Sequence, residues 1–342
     1  MEKYIVLNKN ISTYYLYKTV LKELLDVYQS DKKNLPILDL RETQYISANA
    51  APVLLAFGDY LRRLYNKPIK IKVSKESGLQ NFLIMSKFFE ISKKLNIFVW
   101  DDDFLDEWEI KKIRDIHNIS YTKIRYNDAE KIIDMTQRRD YISDCLYDKY
   151  IAIYSEVLND TGKLVNSIID ESILAIVELE TNAIMYSKSY SFTYVATDKY
   201  GTKISIADTG VGFEKSFKNS GKRLEYIDFN NQFDKKYKNY IIIMSVLNYS
   251  MKKYMEEERE DLWSLMTKVI NNNGTFKIQY MNTQVTFSHS RCKECKKNPG
   301  QKNLLICSKC LANDYSKDIL SPIKIFEVGL QGVRIEITID KE

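Results

Sequence analysis

S-I-L-A-I-V-E-L-E-T-N-A-I-M-Y-S, residues 172–187, is followed by an alternating segment and then by I-S-I-A-D-T-G-V-G-F, residues 204–213. In the first piece Ile173, Val177, Thr181 and Ile184 recur at helical spacing, so one stripe can face a core. Glu178 and Asn182 stand four residues apart and therefore one above the other on the neighbouring face. Phe192, Tyr194 and Ala196 then alternate, Asp198 to Gly201 reads as a turn, and Ile204 and Ile206 alternate again, the pattern of a hairpin. The second strand delivers Asp208 into a loop where Gly210 and Gly212 let a ligand approach the backbone closely. A carboxylate and an amide on a helix, facing an Asp-x-Gly-x-Gly loop, predict a nucleotide and metal site.

The pair E-x-x-x-N (Glu178, Asn182) and D-x-G-x-G (Asp208, Gly210, Gly212), in this order and separated by one hairpin, resembles the N box and first glycine box of the GHKL ATPases. That superfamily includes gyrase and MutL ATP-binding domains, histidine kinases and the anti-sigma-factor serine kinases. The resemblance covers about residues 140 to 342 and implies a Bergerat α/β sandwich that binds ATP and Mg²⁺. It implies that Asp208 accepts a hydrogen bond from the adenine amino group and that Gly210 and Gly212 admit base and sugar. It also implies that Asn182 offers its oxygen to Mg²⁺, and that Glu178 is the general base and so the catalytic residue.

The chain departs from the family in two places. Where a second glycine box should open the helix before N-N-G-T, it has Arg259-Glu260-Asp261-Leu262-Trp263, whose carboxylates would repel phosphate unless a metal or Arg259 intervenes. Near the last strand, Gly332-Val333 stands where the family often carries Gly-Thr. ATP binding is expected, and fast turnover is not.

At 342 residues the chain predicts roughly two domains, each large enough for a core. A net charge of +5, from 51 basic and 46 acidic residues, does not by itself argue for nucleic acid or an anionic membrane. No apolar run approaches the roughly 18 residues of a membrane span, and the first ten residues do not read as a signal peptide. A cytoplasmic protein is the expectation.

Residues 1–105 read as an α/β domain with strands at Tyr4–Leu7, Ile37–Leu40, Ile69–Val73 and Ile97–Trp100. Helices are expected at Tyr14–Tyr28, Val53–Tyr65 and Leu79–Leu95, giving a mostly parallel sheet. The stretch L-D-L-R-E-T-Q-Y-I-S-A-N-A-A-P-V-L-L-A, residues 38–56, is similar to STAS domains, the fold of anti-sigma-factor antagonists. The position matching their phosphorylated serine is Ala48, which has no hydroxyl, and Ser47 beside it is expected to cap the next helix. The resemblance thus implies a docking or intramolecular regulatory domain that meets a protein partner.

Residues 106–139 read as a connector, with Ser120–Tyr126 as a strand crossing to the second domain, and 140–342 as the GHKL domain. Within it, Lys215–Gln232 reads as a polar loop, Tyr240–Tyr249 as an apolar helix, Glu256–Glu260 as a charged hinge and Leu262–Val269 as an amphipathic helix. Strands follow at Phe276–Tyr280, Val285–Phe287 and Val333–Ile339, with Asn282-Thr283 as a turn, in a mixed sheet carrying helices on one side. The stretch from Phe213 to Gly274 is expected to contain the lid that ATP orders. His117 and His289 lack the context of a phosphoacceptor, so histidine-kinase activity is not expected.

Four of the five cysteines form two knuckles, Cys292-x-x-Cys295 and Cys307-x-x-Cys310, eleven residues apart. Four thiolates at this spacing suit a tetrahedral Zn²⁺ with a closed shell, a structural zinc insert at about 289–315. Cys145 stands alone on an apolar stretch and reads as core. The leading expectation is a regulatory ATPase or protein-kinase-like switch acting on a protein partner, with a homodimer left open. Two alternatives remain: a non-catalytic ATP-sensing or protein-binding module, and a nucleic-acid-associated ATPase that uses the basic flanks of the zinc ribbon.

Overall fold

The computed structural model describes residues 3–31, 35–74, 78–101, 120–121, 125–128, 176–177, 179–187, 189–197, 201–219, 221, 223–226, 235–257, 262–288 and 322–340. Short apolar strands alternate with helices in the N-terminal half: β1 (Tyr4–Val6), β2 (Asn10–Ile11), β3 (Ile37–Asp39), β4 (Tyr45–Ile46), β5 (Ile69–Lys72) and β6 (Phe98–Val99). Four of them form a parallel sheet in the order β1-β3-β5-β6, while β2 and β4 make a separate parallel pair. The parallel sheet foreseen from the alternation is present.

The helices of this half depart from the sequence pattern in two places. α1 (Thr13–Tyr15) passes through a π-helical segment, Leu16–Val20, into α2 (Leu21–Ser30), so the helix expected at Tyr14–Tyr28 contains a wide turn. The wide turn accompanies burial of Leu16, Tyr17, Val20, Leu21 and Leu24, a broader stripe than a regular helix presents. α4 (Gly78–Met85) and α5 (Phe88–Lys94) replace the single helix expected at Leu79–Leu95. Lys87 between them is left-handed, at φ 62°, and the break lets both Phe88 and Phe89 turn inward onto Phe98 and Trp100.

α3 (Ala50–Tyr65) is the central helix. Its Ala50 N–H donates to the Ser47 carbonyl at 2.8 Å, and Asn49 in the cap position makes no side-chain cap bond, so Ser47 acts through its backbone. Twelve of its sixteen residues are buried, more than a single core-facing stripe can hold. The reason is that it packs against β5 and α5 on one side and against a second sheet on the other.

That second sheet belongs to the C-terminal half. Its strands are β7 (Ser120–Tyr121), β8 (Arg125–Asp128), β9 (Tyr190–Thr197), β10 (Gly201–Asp208), β11 (Thr275–Ser288) and β12 (Ile323–Asp340). They run β11-β12-β10-β9-β7, with β8 also on β9, and every described pairing is antiparallel, where a mixed sheet was expected. Neighbours in sequence pair directly here, β9 with β10 and β11 with β12, so no parallel crossover arises. β7 and β8 lie in the expected connector, where Ser120–Tyr126 was expected as one strand crossing to the second domain; two short strands there pair with β9, so this sheet begins before residue 140.

The helices of this half are α6 (helical at residues 176–177 and 179–186), α7 (Gly212–Asn219), α8 (Lys238–Glu257) and α9 (Leu262–Asn271). α7 occupies part of the expected polar loop; Phe213 and Phe217, one turn apart, anchor it on Tyr280 and Tyr249. α8 extends to Glu257, into the expected hinge. Asn282-Thr283 makes no turn either: β11 continues through a register irregularity around Met281, which sits at φ 51°.

Strand alternation assigns the two faces of this sheet. Val195, Ile204, Ile206, Ile278, Ile335 and Ile337 point to one side, into a core shared with α6, α8 and α9. Phe192, Tyr194, Ala207, Phe326 and Leu330 point to the other and join one continuous core with the N-terminal half. No helix among the described residues is long and apolar enough to cross a membrane.

Candidate functional site

On the helical side of the large sheet an open cleft of about 980 Å³, counted out to its mouth, lies between α6, α7, α8 and the ends of β10 and β12. Asn182 and Tyr186 line it from α6, Asp208 and Gly212 from the loop after β10, and Val333 from β12. Three of the residues picked out by spacing, Asn182, Asp208 and Gly212, therefore meet at one cavity.

Asp208 lies at the end of β10 on the same face as Ile204 and Ile206, and only 9% of it is exposed. Its Oδ1 accepts the Gly210 N–H at 2.8 Å, and the Val333 N–H also donates to the carboxyl. Burial outweighs these bonds and the positive charge of Arg63, and pushes the carboxyl up to about 7. Two glycines shape its surroundings. Gly332, at φ +107°, lies so close to the Asp208 carbonyl that a Cβ would meet it at 2.1 Å. Gly212, at φ +74°, leaves room for the Tyr280 ring, which a Cβ would meet at 2.8 Å.

The helix that carries Asn182 is tied to the same loop. α6 ends where the Ser187 N–H donates to the Ala183 carbonyl, and the Ser187 carbonyl then accepts from Val211 at 2.9 Å. Gly210 sits on that carbonyl, at a place where a Cβ would come within 2.0 Å of it. Gly210 thus serves close packing of the loop against α6 rather than lining the cleft. The Asn-bearing helix and the Asp-bearing loop form one braced unit.

The residue after Asp208 faces the opposite way. Thr209 is fully buried, its hydroxyl donating to Asp59 Oδ2 at 3.0 Å and lying 3.1 Å from the Ser189 hydroxyl. Arg63 donates through Nη2 to the Thr209 carbonyl at 2.9 Å and to the Thr209 hydroxyl as well. Asp59 is buried and is held in turn by Arg62 at 2.8 Å and Arg63 at 3.2 Å. Nothing in the local sequence around Asp208 signals these partners, which come from α3 in the other half.

Across the cleft, Val246, Tyr249, Ser250 and Lys253 fall on one face of α8 and grade from apolar to cationic. Ser250 Oγ accepts the Trp263 N–H at 2.8 Å, which occupies an amide in the first turn of α9. That is the helix whose start lacks a glycine box. Neither a family model nor a curated protein or solved structure matches the chain.

Glu178, the four zinc-candidate cysteines Cys292, Cys295, Cys307 and Cys310, and Arg259, Glu260 and Asp261 lie outside the described residues, as do Cys145, His117 and His289. Among the described residues no three His, Cys, Asp or Glu side chains gather as a metal-binding group. The strands flanking the cysteine stretch are brought together at its base: Val285 pairs with Ile323, and the Thr286 N–H donates to the Pro322 carbonyl at 2.8 Å.

Proposed function

We propose that the cleft is a GHKL-type site for an adenine nucleotide with Mg²⁺, in a regulatory protein that acts on a protein partner as an ATPase or protein-kinase-like switch. The observation that carries this reading is the convergence of Asn182, Asp208 and Gly212 on one cleft, with the carboxyl of Asp208 buried in its wall. A buried carboxylate is a directional acceptor for the adenine amino group, and the apolar walls suit the base. The Asn182 amide, on the cleft wall, is the proposed oxygen donor to the cation, which supplies charge neutralisation at the phosphates. Glu178, four residues earlier in the sequence, is the proposed general base.

Calorimetry of Mg-ATP with the intact protein tests the assignment. Asn182→Ala is expected to remove Mg-dependent binding, and an unchanged affinity would sink the site. Glu178→Ala is expected to leave binding intact while abolishing any hydrolysis.

A second reading, a sensor that binds ATP without turning it over, is favoured by the bond between Ser250 and the Trp263 N–H. That amide is already satisfied within the protein, at the helix start where such sites hold phosphate. A turnover assay on the purified protein separates the two readings.

The N-terminal half is proposed to be STAS-like and to work in cis. Its Ser47–Asn49 turn, where STAS domains carry their serine, lies against the large sheet, with Ser205 Oγ donating to the Asn49 carbonyl at 3.2 Å. The four cysteines are proposed to hold a structural Zn²⁺ in an insert closed at its base by the paired ends of β11 and β12. Metal analysis of the purified protein, expecting one zinc per chain by the Cys₄ stoichiometry, checks it.

A further inference from the structure

We infer that Arg63, on α3 of the N-terminal half, is a positioning residue for base recognition: by gripping Thr209 it fixes the neighbouring Asp208 carboxyl where the adenine amino group must meet it. The inference rests on the adenine-nucleotide reading of the cleft and adds a selectivity role for the other half of the chain.

The geometry follows from strand alternation. Consecutive residues at the end of β10 point to opposite faces, so Asp208 reaches the cleft only when Thr209 reaches the N-terminal half. Thr209 is there enclosed on three sides, by Asp59, by Arg63 and by Ser189. Arg63 bonds both the carbonyl and the hydroxyl of Thr209, so it fixes the peptide and not only the side chain. Asp59, buried and paired with both Arg62 and Arg63, orients the guanidinium that makes the grip. The Thr209–Gly210 peptide that Arg63 grips is the one whose N–H bonds the Asp208 carboxyl, and Gly332 crowds the preceding peptide at the Asp208 carbonyl, so a shift of Thr209 is passed on to Asp208. The charge of Arg63 also favours the ionised form of Asp208, the better acceptor.

A helix that merely docked the two halves together would affect stability, and the affinity for every ligand alike. Positioning of the acceptor predicts a different signature, in the discrimination between ATP and purine riboside triphosphate, which is ATP without the exocyclic amino group. The experiment is calorimetric titration of the full-length protein with each nucleotide in Mg²⁺. Wild type should prefer ATP by about tenfold, the net worth of one hydrogen bond. Arg63→Ala should bring the ratio close to one, and Arg63→Lys, which keeps a charged donor, should recover part of it. Asp208→Asn, whose oxygen is held by the Gly210 N–H so that its NH2 group faces the adenine amino group, is the reference for loss of the contact.

If Asp208→Asn collapses the ratio and Arg63→Ala leaves it at the wild-type value, the nucleotide reading stands and the positioning role is overturned. If wild type binds neither nucleotide, or both equally, base recognition by Asp208 fails and the inference falls with it. Should Arg63→Ala lose its cooperative thermal transition, Thr209→Val, which removes the hydroxyl but keeps the shape, takes its place. A lowered ratio in Thr209→Val supports the role, and an unchanged one overturns it.

Discussion

The two faces of the six-stranded sheet are built from the same strands and put to opposite uses. The outer face is closed: Phe192, Tyr194 and Phe326 merge with Tyr17, Phe57 and their neighbours in the N-terminal half. It even encloses charge, since Arg334 and Glu336 are each 2% exposed, lie 3.5 Å apart, and the Arg334 guanidinium stacks 4.7 Å from the Tyr17 ring. Burial works to raise Glu336, but the charges of Arg334 and Lys277 and hydrogen bonds from Thr13 and Lys277 hold it below the usual glutamate range. The helical face is left open around Asp208, whose burial is not matched by a salt bridge among the described residues and whose carboxyl rises to about 7. Two buried carboxylates on one sheet thus shift in opposite directions. The contrast teaches where the molecule has spent stability at the proposed ligand site and where it has consolidated its fold.

Substitutions that break this contrast should differ in size. Phe57→Ala, in the closed interface, should lower unfolding stability by about 3–5 kcal/mol in urea titration. Phe217→Ala, at the cleft, should cost less than about 2 kcal/mol because its side chain borders open space. Arg334→Met leaves Glu336 buried with Lys277 as its remaining cation among the described residues and should cost about 3 kcal/mol or more, while pairing it with Glu336→Leu should restore most of the loss.

Asp208→Asn should act the other way and stabilise the ligand-free protein, on the order of 2–4 kcal/mol at pH 8. The sign follows from the raised value: between about 4 and about 7 the folded protein holds a proton that the unfolded chain has released. Wild-type stability should therefore fall as pH rises through that window and level off above it. Arg63 from α3 opposes the shift of Asp208, Tyr17 lies within its field, and neither reverses it. Thermal melting of both proteins from pH 5 to pH 8 checks this: the advantage of Asp208→Asn should grow to about pH 7 and then stay constant. Val333→Thr, which adds at the cleft the hydroxyl that GHKL sites often carry, should have the smallest effect, about 1 kcal/mol in stability and less than about tenfold in nucleotide affinity.

The features that could be read in advance are those encoded by near neighbours. The four parallel strands followed from short apolar runs, and the meeting of Asn182 with Asp208 and Gly212 followed from two local spacings. α7 was missed because its polar composition hides a two-residue anchor, Phe213 and Phe217. The π-helical segment and the break at Lys87 were set by the burial of Tyr17, Phe88 and Phe89 against distant residues. The outer-face facts were least accessible: Arg63 meets Thr209 across 146 positions of sequence, and no local pattern announces such a pairing.

The most direct test of the central claim is a titration of Mg-ATP into the intact protein and its Asp208→Asn variant at pH 8, with thermal stability measured on the same samples. Saturable binding to wild type, weakened at least about tenfold in a variant that melts higher without ligand, is the expected result. Equal affinities for the two proteins, or no binding to wild type, would contradict the assignment of the cleft as an adenine site.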